Sequence, residues 1–239
     1  MALWILATLA AFYIKGLCGF ANTLVFTSIL GFGANNVAIS PVELMLGYPT
    51  NIILTWLYRK KLNKAVYIPL ALLVLMGSIP GALLLKNVNA SYIKIVFGVV
   101  VILLGIEMHL RESKSIEFKE SRLFLGVIGI LSGVLCGLFG VGALLAAYVG
   151  RVTGTSNEFK ANISAVFIVD NTFRLILYSV LGIINLSSLK QAAIMMPFVL
   201  LGLFAGIKSA MVLDEKIAKR IVIILLIISG LALIIKELV

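Results

Sequence analysis

A chain of 239 residues that is 62% hydrophobic and 13% charged lies outside the composition of soluble domains, in which about a quarter of residues are charged. Its formal net charge of +10 would suggest nucleic acid in a soluble protein, but Lys and Arg flanking membrane spans account for such an excess. Glycine-rich nucleotide loops, metal-ligand clusters and a Ser-His-Asp set do not stand out, and two cysteines are too few for a disulfide framework; these features argue against an enzyme, and no catalytic residue, metal or cofactor is expected.

Apolar segments fall at 1–32, 37–58, 65–85, 92–110, 123–149, 161–184, 189–212 and 221–235. Apolar runs of this kind are long enough to cross a hydrocarbon core about 30 Å thick, and no strand-like alternation suggests a barrel. The expected class is an all-α polytopic membrane protein. The opening run "MALWILATLAAFYIKG" lacks a positive leader region and resumes after Lys15, so it reads as a retained segment rather than a cleaved signal. The lone histidine, His109, ends a hydrophobic run beside Arg111 and reads as an interfacial residue.

The chain reads as a duplication. The charged connector "RESKSIEFKESR", 111–122, separates a first membrane repeat, 1–110, from a second, 123–239. "GLCGF" at 16–20 parallels "VLCGL" at 134–138, and 77–105 aligns without gaps to 202–230. Internal similarity of this kind marks secondary transporters. If all four segments of each repeat span, the repeats are parallel. If the first segment is a broken or re-entrant hairpin, each repeat crosses three times and the second is inverted. Setting aside Lys15, Arg174 and Lys208 inside apolar segments, the parallel arrangement divides the remaining Lys and Arg 10 to 7 across the membrane, whereas the inverted one divides them 13 to 4. Orientation follows Lys/Arg bias. The inverted arrangement is favoured, with the connector in the cytoplasm and both termini outside.

A first segment of about 32 residues suits two half-helices meeting within the membrane. "KGLCGFANT" is the expected break, and "SGVLCGLFGVGA", 132–143, is its partner. Broken backbone at membrane depth is tolerated where it is buried or lines a cavity, and half-helix N-termini suit an anion. Alternatively, the glycines let helices pack closely. Candidate anion-binding groups are Lys15, Gly19, Asn22 and Thr23 at the first break, Gly137, Gly140 and Gly142 at the second, Asn51 after Pro49, and Asp170, Asn171 and Arg174 in "FIVDNTFRLILY". Lys15 either attracts an anion or snorkels to the interface. Asp170 and Arg174 share one helix face; either Arg174 offers a forked donor to an oxyanion, with Asp170 tuning it or carrying a coupling proton, or the two form a self-satisfied buried pair. Ser40, Pro41 and Glu43 read as a helix start with a capping box, as do Thr155 and Glu158, which favours capping over proton carriage for both glutamates. Cys18 and Cys136 hold equivalent positions and read as small packing residues.

The stretches "GVLCGLFGVGALLAAYV", "FKANISAVFIVDNTFRLILYSVLGIIN" and 189–234 give the chain its likeness to a known family. The sequence resembles the TauE/SafE family of sulfite exporters, within the toluene-sulfonate uptake permease superfamily, over nearly its whole length. The resemblance implies duplicated three-span modules and export of a small anion, such as sulfite, a sulfonate or another organic anion, from the cytoplasmic (inner) membrane of the cell. The partners are then the lipid bilayer and the anion, with a proton or another coupling ion in question; nucleic acid is not expected, and homo-oligomerisation stays open. The chain departs from the pattern at Ala21, Asn22 and Thr23, where glycines are common, and lacks the proline expected soon after. An anion channel on the same fold and a non-transporting membrane subunit remain the alternatives.

Overall fold

The computed structural model describes residues 1–31, 36–87, 122–139 and 142–212, together with scattered helical positions within 95–110 and 220–235. Among the described residues every regular element is helical. In chain order these are α1 (Ala2–Cys18), α2 (Asn22–Gly31), α3 (Asn36–Leu57), a short 3-10 turn (Arg59–Lys61), α4 (Lys64–Asn87), α5 (Arg122–Phe139), α6 (Ala143–Val152), α7 (Ser156–Val180) and α8 (Leu186–Ala210). The connector 111–121 lies outside the described residues.

Three of these helices are long and apolar enough to cross a membrane: Lys64–Gly81 within α4, Ser156–Val180 and Leu186–Ala210. At about 1.5 Å per residue, 25 residues reach about 37 Å. The ten-residue α2 and α6 reach only about 15 Å, half the hydrocarbon thickness. Neither can span alone.

The ends of these elements have local causes. Gly19 caps α1 in the left-handed conformation (φ 88°), its N–H returning to the Lys15 carbonyl at 2.6 Å. Glycine adopts this geometry without a Cβ penalty. Ala21 is also left-handed, at φ 70°, which is uncommon for a residue with a side chain. At the start of α7 the Thr155 hydroxyl accepts the Glu158 N–H, as expected, while the Glu158 carboxylate accepts the Gly154 N–H. At α8, Asn185 and Ser188 form a reciprocal capping box.

The expected cap at Ser40 is corrected. α3 begins at Asn36, so Ser40, Pro41 and Glu43 lie inside the helix. Ser-Pro followed by Glu has the local pattern of a helix start, yet Pro41 removes one donor without ending the helix.

α1 packs on α8, α4 on α5, and α3 on α7, while α7 also meets α4 and α3 also meets α8. Glycines let two of these pairs approach to backbone contact. A Cβ on Gly16 of α1 would lie 2.2 Å from the Leu203 carbonyl, and one on Gly206 of α8 would lie 2.1 Å from the Tyr13 carbonyl. Between α4 and α5, a Cβ on Gly77 would meet the Ile130 carbonyl at 2.1 Å and one on Gly133 would meet the Val74 carbonyl at 2.2 Å. Small residues are what allow helices in lipid to gain dispersion contacts at this range. Gly98 and Gly230 face each other in the same manner. A continuous apolar core including Phe12, Leu24, Phe26, Val74, Val166 and Met195 fills the interior. Leu72, Met76, Ile176, Leu201 and Phe204 point outward, as side chains facing lipid do.

Candidate functional site

The first apolar segment is interrupted by the three residues Gly19, Phe20 and Ala21, between α1 and α2. The second interruption lies between Phe139 and Ala143, with Gly142 as the N-cap of α6. A cavity of about 20 Å³ lies at these breaks, lined by Lys15 of α1, the stretch Phe20–Leu24, Glu43 and Asn51 of α3, Gly142, and Phe167 and Asn171 of α7. That volume holds about one water.

Lys15 is 1% exposed. Its Nζ donates to the Gly47 carbonyl at 3.5 Å, a carbonyl that also accepts from Thr50 Oγ1 at 2.6 Å. Glu43, 4% exposed, accepts on one carboxylate oxygen from both Asn22 Nδ2 (2.5 Å) and Thr23 Oγ1 (2.7 Å). α2 therefore opens with two side-chain donors aimed at an acid one helix away. Gly47 lies beside this pair: a Cβ there would stand in van der Waals contact, 3.4 Å from both Asn22 Nδ2 and Glu43 Oε1. Asn51 is fully buried, and its Oδ1 has no hydrogen-bond partner, although a buried acceptor normally has one.

Of the residues singled out in the sequence, Lys15, Asn22, Thr23, Asn51, Gly142 and Asn171 line this one cavity. Gly19 does not line it. Its part is conformational, and its α-carbon rests against Lys160: an added Cβ would meet Lys160 Cγ at 2.7 Å. Gly137 also stands away from the cavity, because α5 continues helically through it to Phe139; the second break is shorter than the glycine spacing suggests. Gly140 lies outside the described residues.

Asp170 and Arg174 form a neighbouring cluster. Their charged groups stand 4.0 Å apart, both 1% exposed. Ser78 of α4 donates to Asp170 Oδ1. Arg174 donates to the Tyr178 hydroxyl at 3.3 Å, and that hydroxyl is 3.3 Å from Ser40 Oγ. The cluster ties α4, α3 and α7 together, and both ions use partners within the protein. Arg174 Nε remains unpaired.

Two residues escaped the sequence reading of the site. Glu43 has the spacing of a cap after Ser-Pro, but its carboxylate instead receives the donors of α2. Lys160, which lies just before the apolar segment 161–184, is 2% exposed, and its Nζ donates to the Gly16 carbonyl at 3.3 Å in the last turn of α1. A cation there complements the negative end of the α1 dipole. The sequence signal for Lys160 was its position four residues after Ser156, already within the first turns of α7. Cys18 and Cys136 are both buried, and neither forms a disulfide.

Among the described residues, no three His, Cys, Asp or Glu side chains gather as a metal site. The model of the family described as "Sulfite exporter TauE/SafE" matches residues 3–233. The chain belongs to that family, which consists of membrane transporters rather than enzymes. No individually curated protein and no solved structure matches the chain.

Proposed function

We propose that this member of the sulfite exporter TauE/SafE family is a secondary transporter that moves sulfite, or a related sulfur-containing or organic oxyanion, out across the cytoplasmic membrane by alternating access. The observation that carries this reading is the cavity at the first break. There a buried lysine, three amides (Asn22, Asn51 and Asn171) and the Thr23 hydroxyl converge with Glu43 beside a half-helix N-terminus. Lys15, Asn22 and Thr23 are the principal anion ligands in this proposal, and Asn51, Asn171 and the backbone around Gly142 complete the shell. Asp170 and Arg174 brace it from the side.

The cavity is too small for a sulfur oxyanion as it stands, so binding requires the walls to part. The two breaks belong to different halves of the chain, which suits rocking of one half against the other. The proposed architecture is two inverted repeats, 1–110 and 123–239, around the connector 111–122, with both termini outside. The division into two like halves is supported by the helix packing: exchanging α1–α4 for α5–α8 converts the α1·α8 contact into α5·α4, maps α3·α8 onto α7·α4, and leaves α3·α7 unchanged; the inversion rests on the Lys and Arg distribution. An anion moving outward is helped by an inside-negative potential, by about 2.3 kcal/mol per charge per 100 mV.

Proteoliposomes loaded with sulfite test the transport reading. Saturable counterflow of labelled sulfite, competed by thiosulfate or sulfonates but not by acetate, is expected. Flux without counterflow would make the protein a channel, and no flux from folded protein would point to a non-transporting subunit. A reporter fused to the C-terminus is expected outside the cytoplasm; a cytoplasmic reporter would contradict the inverted arrangement.

A further inference from the structure

Resting on that reading, we propose that Glu43 is the proton-coupling group: its carboxylate occupies the substrate's donors in the empty site, and it must take up a proton to release them to the anion. Asn22 Nδ2 and Thr23 Oγ1 both donate to the same oxygen of Glu43. These are the side-chain donors at the N-terminus of α2, where an oxyanion would be held. An acid in this position is a tethered stand-in for the substrate. An anion cannot take both donors while the carboxylate keeps them, and two negative oxygens side by side in a water-poor cavity repel.

Protonation removes both obstacles. One proton added to the carboxylate gives a neutral carboxylic acid, with no other bond made or broken. The acid accepts less strongly and gains an O–H donor of its own. A second observation fits a visiting ligand in the same space: Asn51 Oδ1 lines the cavity, fully buried and unpartnered. It is placed to accept an O–H, whether from a protonated oxyanion or from the acid.

The charged and titratable groups facing Glu43 are Lys15 from α1, Arg174 from α7 and the Cys136 thiol from α5. α2 contributes only neutral groups. Arg174 is engaged with Asp170 and Tyr178, and Lys15 stands on the cavity wall. When an anion arrives beside Lys15, that ammonium acquires a second negative neighbour, and a proton on Glu43 offsets the added charge. Anion and proton are then bound together, and a sulfite dianion accompanied by one proton still carries one net negative charge outward, on which the membrane potential acts.

The test uses sulfite and the full-length purified chain. Sulfite binding is titrated calorimetrically in buffers of different ionisation heat, which reads the protons taken up per anion. Sulfite's own protonation is common to both proteins compared, so the difference between wild type and Glu43→Gln isolates the residue. Gln mimics the protonated acid. Glu43→Gln is therefore expected to bind sulfite at least as tightly as wild type, to take up about one proton fewer per anion, and to lose the added weakening of binding as pH rises. An unchanged proton count, or loss of sulfite binding from a folded Glu43→Gln protein, overturns the proposal. Infrared difference spectra of the wild-type protein supply a readout independent of the variant's folding. Sulfite should induce a protonated-carboxyl C=O band, and its absence overturns the proposal equally. Wild-type protein that binds no sulfite would fail at the earlier step, sinking the transport reading and this inference with it.

Discussion

The two helix breaks look alike in sequence and differ in chemistry. "GLCGF" and "VLCGL" each close a helix before a short one begins. The first break presents Lys15, Asn22 and Thr23 to the cavity, whereas the second presents Gly142, backed by Phe167 and Cys136. With the two motifs superposed, Lys15 corresponds to Gly133, which is packed against Val74 and Gly77 of α4. The two breaks thus share a sequence motif while only the first carries a charge. In the proposed mechanism the first break supplies ligands and the second supplies space.

The sharpest way to break this comparison is to remove the charge. Lys15→Met should weaken sulfite binding about 10- to 150-fold, the range expected when a charge-assisted hydrogen bond of about 1.5–3 kcal/mol is lost. Binding measured by calorimetry that stays within twofold of wild type would mean the first break is not the ligand side.

Filling the space tests the other half. A Cβ on Gly142 would sit 2.4 Å from the Phe167 ring, so Gly142→Ala must displace that ring. Overpacking of this kind costs about 1–3 kcal/mol. Slower sulfite exchange with an unchanged pH profile is expected. A changed pH profile would assign the second break a chemical role.

Asn51→Leu probes the unpaired acceptor. A neutral hydrogen bond contributes about 0.5–1.5 kcal/mol, so sulfite affinity should fall by roughly 2- to 12-fold. Thermal stability should hold or rise, because a buried group without a partner is removed. A large drop in stability with unaltered affinity would show that Asn51 serves packing alone.

The smallest expected effect concerns backbone strain. A left-handed alanine is disfavoured by about 1–2 kcal/mol, and glycine gives back part of that through unfolded-state entropy. Ala21→Gly should raise stability by about 0.5–1 kcal/mol in thermal unfolding. A decrease would mean that the methyl of Ala21 contributes more by packing at the cavity than its backbone conformation costs.

Much of this was legible in the sequence because hydrophobic length and glycine position are local signals. The segments expected at 65–85 and 189–212 appear as α4, three residues longer, and α8, shifted two to three residues toward the N-terminus. The interruption around Lys15 to Thr23 was visible because a charge and two glycines break an apolar run. Glu43 was misassigned for the same reason. Its neighbours Ser40 and Pro41 have the local pattern of a helix start, while the contacts that define its role come from Asn22 and Thr23, about 20 positions away in sequence. Asp170 and Arg174 were recognisable as a pair from their spacing, but their separation from the cavity depends on Ser78 and Tyr178, and periodicity carries no such information. Gly137 shows the limit of glycine counting, since a glycine in lipid serves helix packing as readily as it ends a helix.

One comparison tests the central claim most directly: labelled sulfite exchange in proteoliposomes by Lys15→Met and by the double variant Asp170→Asn/Arg174→Met. The double variant removes both buried charges together, so neither is left uncompensated. The account predicts exchange lost in Lys15→Met and retained in the double variant. Exchange retained in Lys15→Met and lost in a folded double variant would contradict it, moving the anion site from the first break to the Asp170–Arg174 cluster.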